Sequence, residues 1–428
     1  MSIRRKRVFS GILMNIVVIS GLIAAQTDDS SGIKYRIVGM GSLESGQVVS
    51  GEANGTDIHV NKAWCQRTYA HLGFQATVGE HTDLFIIGES MEHYAWAQSK
   101  ANYDEDKPQF LFYPYHVEGS YSFGNSERPF LTAGFGVFPF KYNPDVRNLG
   151  EYLFRTGTYP PTMSNQFDFP LARLTGFRLS STPIDSLNLH AMLTMESDVL
   201  PLKDYGISLL GDYTLWKSLT IGAGVFLSHF FSVNEDATTP KNNNLAPIDS
   251  ANSDTIYYTF RGTKFMGRIA FDPKPFFPWR FFGRNDLRFY SEVALIGFKN
   301  FPFYYKERNR RIPIMVGFNV PTFKTMDVLA VELEWYNWNY PNSYTQYVFN
   351  SQVPKPDEVE GYDYKQNRLK WSCYAKKQFG RTFSLIGQVA FDHMRLESNT
   401  FTQGLSYFGD AMHKHGDWAW MLKTQFDF

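Results

Sequence analysis

The sequence predicts an all-β fold, an antiparallel transmembrane β-barrel of about sixteen strands within a range of about fourteen to eighteen. Apolar and polar residues alternate with a period of two in many segments, which is typical of strands with two different faces. Many of these segments run about 10–13 residues, enough to cross a bilayer at a tilt. Aromatic residues make up 17% of the chain, although its mean hydropathy is −0.31. A barrel with aromatic girdles outside and a polar lumen explains both values.

The N-terminal 25 residues predict a cleaved secretory signal peptide. A basic cluster, Arg4–Arg7, precedes an apolar run that ends at Ala24 and Ala25. The alternative is a retained membrane anchor. After cleavage of the signal, residues 26–428 are predicted to form a single barrel domain. Of the 42 Lys and Arg residues four lie in the signal, so 38 remain against 42 acidic residues, a formal charge of −4. This balance argues against nucleic acid as a partner.

Sixteen segments are predicted to be strands, and the connections between them tend to alternate in length. The predicted strands lie near 34–40, 67–79, 82–94, 109–122, 129–140, 170–180, 186–196, 204–214, 217–230, 256–271, 286–297, 311–320, 327–338, 366–378, 382–393 and 417–428. Long connections such as 41–66 and 141–169 alternate with short ones such as 379–381, the asymmetry expected for long external loops and short periplasmic turns. Both chain termini are therefore expected in the periplasm.

The last strand carries the most specific pattern in the sequence. Its apolar face, on which Thr424 is the exception, carries Trp418, Trp420, Leu422, Phe426 and Phe428. With this strand and the strand count, the chain resembles the bacterial outer-membrane porins. The resemblance implies a Gram-negative outer membrane, contact with its lipid and lipopolysaccharide, and recognition of these five residues by the barrel-assembly machinery. A homo-oligomer is compatible with it. The implied function is passive diffusion of small hydrophilic solutes or ions.

The resemblance also implies a role for the long connection 141–169. In classical porins the corresponding loop folds inward and narrows the pore. The charged residues here are Lys141, Asp145, Arg147, Glu151 and Arg155. Such charges can select ions, because a low-dielectric wall strengthens their field. The alternative is an ordinary solvated external loop.

Charged residues on the polar faces of the strands are expected to face the lumen. The basic ones form two rows, and two glutamates share one face of another strand: Arg368, Lys370 and Lys376; Lys264 and Arg268; Glu332 and Glu334. The basic rows could draw anions through a channel. Alternatively, charges of both signs pair across the lumen and stiffen or plug it. A plugged barrel would bind a specific or apolar ligand, or serve a structural or adhesive role.

The sequence shows no catalytic signature, so we expect neither an enzyme nor a cofactor. Glu332 and Glu334 could serve acid–base chemistry, but hydration of the lumen is the preferred interpretation. His413 and His415 flank Lys414 without further obvious ligands nearby in the sequence, so no metal site is expected. No G-x-S-x-G motif marks a nucleophile. Cys65 and Cys373 are expected to be free thiols.

Overall fold

Sixteen antiparallel strands form one closed barrel in the part of the chain that the structure describes. The computed structural model describes residues 32–51, 58–59, 61–94, 98–99, 109–125, 127–154, 163–164, 172–195, 204–233, 262–277, 280–298, 308–336, 368–398, 406–410, 412 and 414–428. No helix within these ranges is long and apolar enough to span a membrane.

The barrel strands follow one another around the barrel in chain order. The first eight are β1 (Ile33–Ser50), β2 (Trp64–Val78), β3 (Thr82–Tyr94), β4 (Gln109–Asn125), β5 (Arg128–Phe140), β6 (Ala172–Ile184), β7 (Leu187–Met195) and β8 (Tyr205–Leu215). The second eight are β9 (Leu219–Phe231), β10 (Gly262–Phe271), β11 (Phe289–Ile296), β12 (Pro313–Asn319), β13 (Val328–Tyr336), β14 (Leu369–Phe379), β15 (Phe383–Phe391) and β16 (Trp418–Asp427). The predicted fold class is confirmed.

Strand β1 closes the barrel by pairing with β2 on one edge and β16 on the other. We expected this strand to end near residue 40, and that boundary was wrong. The glycines and serines after Met40 indicate a loop in isolation, yet residues 41–48 have hydrogen-bonded neighbours on both sides. The two neighbouring strands supply the ladder partners, so tertiary pairing overrides the weak local β-propensity.

The alternation seen in the sequence separates an apolar outer face from a polar inner face. Large apolar side chains that are exposed on the outside include Phe74, Ile86, Phe135, Phe177, Leu209, Ile221, Ile269, Val293, Val316, Leu333, Val389, Leu422 and Phe426. Their neighbours in sequence point inward, and many of these are charged. The arrangement is the one required when lipid lies outside the barrel and polar groups lie inside.

The two ends of the barrel differ in the length of their connections. Short turns at 79–81, 216–218 and 380–382 lie at one end, together with Ile33 and Phe428. Connection 272–288 is the longer exception at this end. Its Asp286 accepts hydrogen bonds from Gly283 N and Thr322 Oγ1 at 2.8 and 3.0 Å, which ties it to turn 320–327.

The long connections lie at the other end. Described parts of them form two small sheets outside the barrel ladder. One pairs Ile58–His59 with Gln98–Ser99, and the other joins Met163–Ser164, Met394–Ser398 and Ser406–Asp410. Because residues 163–164 pair with residues 394–395, the β5–β6 connection reaches the far side of the barrel, above β15.

Candidate functional site: the barrel lumen

The interior of the barrel contains a segment of the β5–β6 connection. Residues 141–154, called here the inserted segment, leave the end of β5 and are largely buried. Tyr142 Oη lies 2.8 and 3.0 Å from the carbonyl oxygens of Gly211 on β8 and Ala223 on β9, between which it shares its one proton. Val146, Leu149 and further apolar residues of the segment pack against inward-facing side chains of β7–β13. The segment therefore lies against the inner wall.

The carboxylate of Glu332, on the inner face of β13, binds three consecutive backbone N–H groups of the inserted segment. Arg147 N donates to Oε1 at 2.5 Å, and Asn148 N and Leu149 N donate to Oε2 at 2.9 Å each. Tyr290 Oη on β11 donates to Oε1 at 2.9 Å. Successive N–H groups that converge in this way form an anion-binding concavity. Here the bound anion is a side chain of the barrel wall.

A second wall carboxylate, Glu292 on β11, accepts hydrogen bonds from the inserted segment both before and after residues 147–149. Asn143 Nδ2 donates to Oε1 at 2.6 Å, and Glu151 N donates to Oε2 at 2.5 Å. Gly150 adopts a φ of +87° directly before Glu151, and a Cβ at Gly150 would lie 2.7 Å from Glu292 Oε2. Glycine is required here for both the left-handed backbone and the close approach to the wall.

The far part of the segment contacts β13–β15. Tyr152 Oη donates to Glu334 Oε2 at 2.8 Å, and Glu334 also pairs with His393. Asn148 Nδ2 donates to the carboxylate of Asp392, just beyond β15. These contacts extend the attachment of the segment from β8 to β15, about half of the circumference of the barrel.

The residues predicted for the constriction loop take different positions. Asp145 and Glu151 are buried, with Asp145 3.0 Å from Arg288. Lys141 and Arg147 are half-buried, and Lys141 Nζ donates to the Val146 carbonyl at 2.7 Å. Arg155 lies outside the described residues.

The predicted lumen-facing residues that belong to strands lie on inner faces, and most of them are buried rather than open to the lumen. Lys264, Arg268, Glu332, Glu334 and Lys370 are buried. Glu332 and Glu334 are covered because the inserted segment uses their carboxylates as acceptors.

Three of the five residues in the basic rows, Lys264, Arg268 and Lys370, are buried as well. Arg268 pairs with Asp212 on β8 and donates from Nη1 to Asn143 Oδ1 at 3.3 Å. Lys370 Nζ donates to the Met412 carbonyl at 2.5 Å. Lys376 is half-buried on the inner face of β14, and half-buried Arg368 directly precedes that strand. Lys264, Arg268 and Lys370 therefore present little open positive charge, whereas Arg368 and Lys376 stay partly open.

The pKa values of two ionisable groups in the inserted segment are raised by their surroundings. Burial raises the pKa of the Glu151 carboxyl to about 7, against the opposing effects of the Asn143 N–H and the Lys141 ammonium. Burial and the nearby Asp212 carboxylate raise the pKa of the Tyr142 hydroxyl far above its ordinary value. Desolvation disfavours the charged form of both groups.

A polar region that was not singled out from the sequence lies on the inner wall of β2–β6. It contains His71, Glu89, Glu118, Arg173 and Arg178, joined by ion pairs. Arg178 alternates with lipid-facing Phe177 and Leu179 and was therefore detectable. The Glu89–Arg173 and Glu118–Arg178 pairs were not detectable, because each joins strands that are not adjacent in the barrel.

The remaining predictions concern the last strand, the two cysteines and the histidines near the C-terminus. Trp418, Trp420, Leu422 and Phe426 lie on the outer face of β16, and Phe428 pairs with Gly39 through two backbone hydrogen bonds of 3.0 Å. Cys373 is a free, half-buried thiol; the side chain of Cys65 is outside the described set. The described residues contain no group of three or more His, Cys, Asp or Glu that could hold a metal, and His413 is not among them.

Solved porin structures share this fold. The chain is similar to Salmonella typhi OmpF, in a complex with daunomycin, with 12% identity, 94% of this chain and 100% of that chain covered, and a TM-score of 0.50. A triple mutant of Rhodopseudomonas blastica porin has 9% identity, 92% and 100% coverage, and a TM-score of 0.42. At such identities the likeness concerns the fold alone. No protein-family model and no curated protein sequence matches the chain. The fold of the chain is that of a porin-like β-barrel.

Proposed function

We propose that this barrel is a channel of a Gram-negative outer membrane through which small hydrophilic solutes diffuse, and that the inserted segment narrows it. The observation that carries the proposal is the unequal covering of the inner wall. The inserted segment covers the wall from β8 to β15, whereas Arg173, Arg178 and His71 on the wall of β2–β6 remain partly exposed to solvent. A polar, hydrated strip beside a packed segment is what a narrowed aqueous pore requires.

The outer surface supports the membrane setting of this proposal. A band of exposed apolar side chains surrounds the barrel, which suits lipid and, in the outer leaflet, lipopolysaccharide. The proposal places the short turns and both ends of the mature chain in the periplasm, with residues 1–25 removed as a signal. The apolar face of β16 and Phe428 would be read by the assembly machinery. No catalytic step is assigned to the chain.

The experiment is conductance of the purified, folded protein in a planar bilayer. Heat-modified migration in gels and β-type circular dichroism establish that the barrel is folded before reconstitution. We expect stable conductance steps in potassium chloride, and none from the same preparation after heat unfolding. Absence of steps from demonstrably folded, inserted barrels would overturn the channel proposal.

A second candidate, a plugged barrel that binds a specific or apolar ligand or has an adhesive role, is favoured by one observation. Wall residues on β10–β16, including Glu332, Glu334 and Lys370, are buried beneath the inserted segment or beneath Met412. If this covering extends across the whole lumen, ions cannot pass. Silent but folded barrels would therefore favour this candidate over the channel.

A further inference from the structure

Two clusters with the same composition lie on the inner wall of β2–β6. The first joins His71 on β2, Glu89 on β3 and Arg173 on β6. His71 Nε2 lies 2.6 Å from Glu89 Oε2, and Arg173 Nη2 donates to Glu89 Oε1 at 2.8 Å. The ring of Tyr115 stacks on that of His71 with 3.9 Å between the centroids. The carboxylate is thus held between a histidine and an arginine.

The second cluster likewise holds a glutamate between a histidine and an arginine. His116 Nε2 lies 2.8 Å from Glu118 Oε2 on β4, and Arg178 Nη2 on β6 donates to the same oxygen at 2.9 Å. The pair spans β5, where Gly134 lies directly opposite Arg178. A Cβ at Gly134 would overlap the Glu118 carboxylate, so the glycine leaves the space in which the pair forms.

Each ion pair exposes its arginine and covers its carboxylate. The Arg173 side chain is 31% exposed and that of Glu89 4%. The Arg178 side chain is 26% exposed and that of Glu118 0%. The Arg288 side chain, paired with Asp145 of the inserted segment, is 30% exposed against 5%. The arginine side chains are therefore partly open to solvent, whereas their negative partners are buried.

The acidic groups deeper in the lumen do not offset this asymmetry at the surface. Glu292, Glu332 and Glu334 are buried and accept hydrogen bonds from the inserted segment, and Asp212 is buried against Arg268. A solute beside the wall of β2–β6 meets positive charge first. Because the barrel wall has a low dielectric constant, this local field is poorly screened.

We propose that the channel favours anionic solutes, and that Arg173 and Arg178 are the groups that contact them. This inference rests on the proposed function. Guanidinium groups match carboxylates and phosphates through paired N–H donors, and arginine-lined pores select anions. The buried glutamates fix the two side chains in place, so that they present their remaining N–H groups toward the lumen.

The test is the reversal potential of the reconstituted protein in a potassium chloride gradient. We expect the sign that marks chloride as more permeant than potassium. The double variant R173Q/R178Q should lower the chloride-to-potassium permeability ratio several-fold, up to about tenfold, whereas R173K/R178K should retain most of it. The matched control is Arg128→Gln, because Arg128 is the first residue of β5 and its side chain is 82% exposed, so this variant should leave the ratio unchanged.

A second measurement needs no variant. Citrate, a multivalent carboxylate, added to one side should reduce the chloride current at lower concentration than spermidine does. Potassium preference in the unaltered protein, an unchanged ratio in R173Q/R178Q, or stronger block by spermidine would each overturn the inference. These outcomes require a conducting channel. Loss of the proposed function itself would instead be seen as absence of conductance from folded barrels.

Discussion

The backbone N–H of Asn148 donates to the Glu332 carboxylate at 2.9 Å, across 184 residues of sequence. Arg147 and Leu149 donate to the same carboxylate. A negative side chain of the wall thus fills an anion-binding concavity that the loop backbone forms. The middle of the inserted segment is therefore held by one buried charge, and removal of that charge should loosen the segment there.

Glu332→Gln should free the inserted segment without unfolding the barrel. The amide offers one acceptor oxygen to three N–H groups and turns its own donors toward them, and each lost hydrogen bond to a charged acceptor is worth about 1.5–3 kcal/mol. The measurement is limited trypsin digestion, with new cleavage expected after Lys141 and Arg147, which are half-buried in the inserted state.

The control for this variant is Glu80→Gln in an exposed turn. It removes the same charge from a site that holds no loop, so cleavage at 141 and 147 should remain slow. In bilayers, Glu332→Gln should give larger or noisier conductance steps than Glu80→Gln. If digestion and conductance both match those of the unaltered protein, Glu332 does not hold the segment.

Gly150→Ala should displace the same segment by a steric route. The added methyl group would meet Glu292 Oε2 and Met315 Cε at 2.7 and 2.8 Å, and alanine is strained at a φ of +87°. We expect faster trypsin cleavage at Arg147 and a cost of about 1–3 kcal/mol to the inserted state.

Gly387→Ala is the matched control, because a Cβ at Gly387 has no atom within 4 Å and its backbone is not left-handed. This variant should be digested like the unaltered protein. Equal protection of the segment in both alanine variants would show that Gly150 is not needed for its close approach to the wall.

The buried pair of Arg268 and Asp212 should be costly to break by removing one partner. Asp212→Ala leaves a buried guanidinium without its carboxylate, a change that costs about 3–5 kcal/mol in buried pairs. The temperature at which the barrel loses its compact form in gels should fall. Replacing both partners, in D212L/R268M, should recover much of the loss, and a double variant no more stable than Asp212→Ala would contradict this account.

The strands could be predicted well from the sequence because in each of them apolar residues of the outer face alternate with polar residues of the inner face. In β13, Leu333 and Trp335 face lipid, whereas Glu332 and Glu334 face inward, as the period of two requires. The end of β1 was missed since residues 41–48 gain their structure from pairing with two distant strands. Local composition holds no trace of those partners.

The lumen was less predictable, for a related reason. Alternation assigns Glu332 and Lys370 to the inner face but says nothing about what covers them. Their coverage depends on where residues 147–149 and Met412 lie, and these belong to connections without periodicity. Likewise, an arginine such as Arg178 can be placed inside from sequence, but its pairing with Glu118 over Gly134 is visible only in the closed barrel.

Raising the pH should destabilise the inserted state of the segment, because the buried Glu151 carboxyl then ionises. Its carboxyl has a pKa of about 7 in the inserted state, because of burial, against 4.5 for the ordinary group. The inserted state therefore binds more protons between these values, so its stability is greatest below pH 4.5 and falls as the pH rises toward 7. Above pH 7 the stabilisation that comes from protonated Glu151 is lost completely, and the stability of the inserted state no longer changes with this group.

The groups around this carboxyl set how the effect is measured. Lys141 and Arg268 favour its ionised form, the Asn143 N–H donates to it, and Glu292 accepts the Glu151 N–H. Conductance of the unaltered protein should be smaller and quieter at pH 5 than at pH 8. Glu151→Gln keeps the neutral shape at every pH, so its conductance should stay near the pH 5 level. A Glu151→Gln channel with the full pH response of the unaltered protein would assign that response to another group.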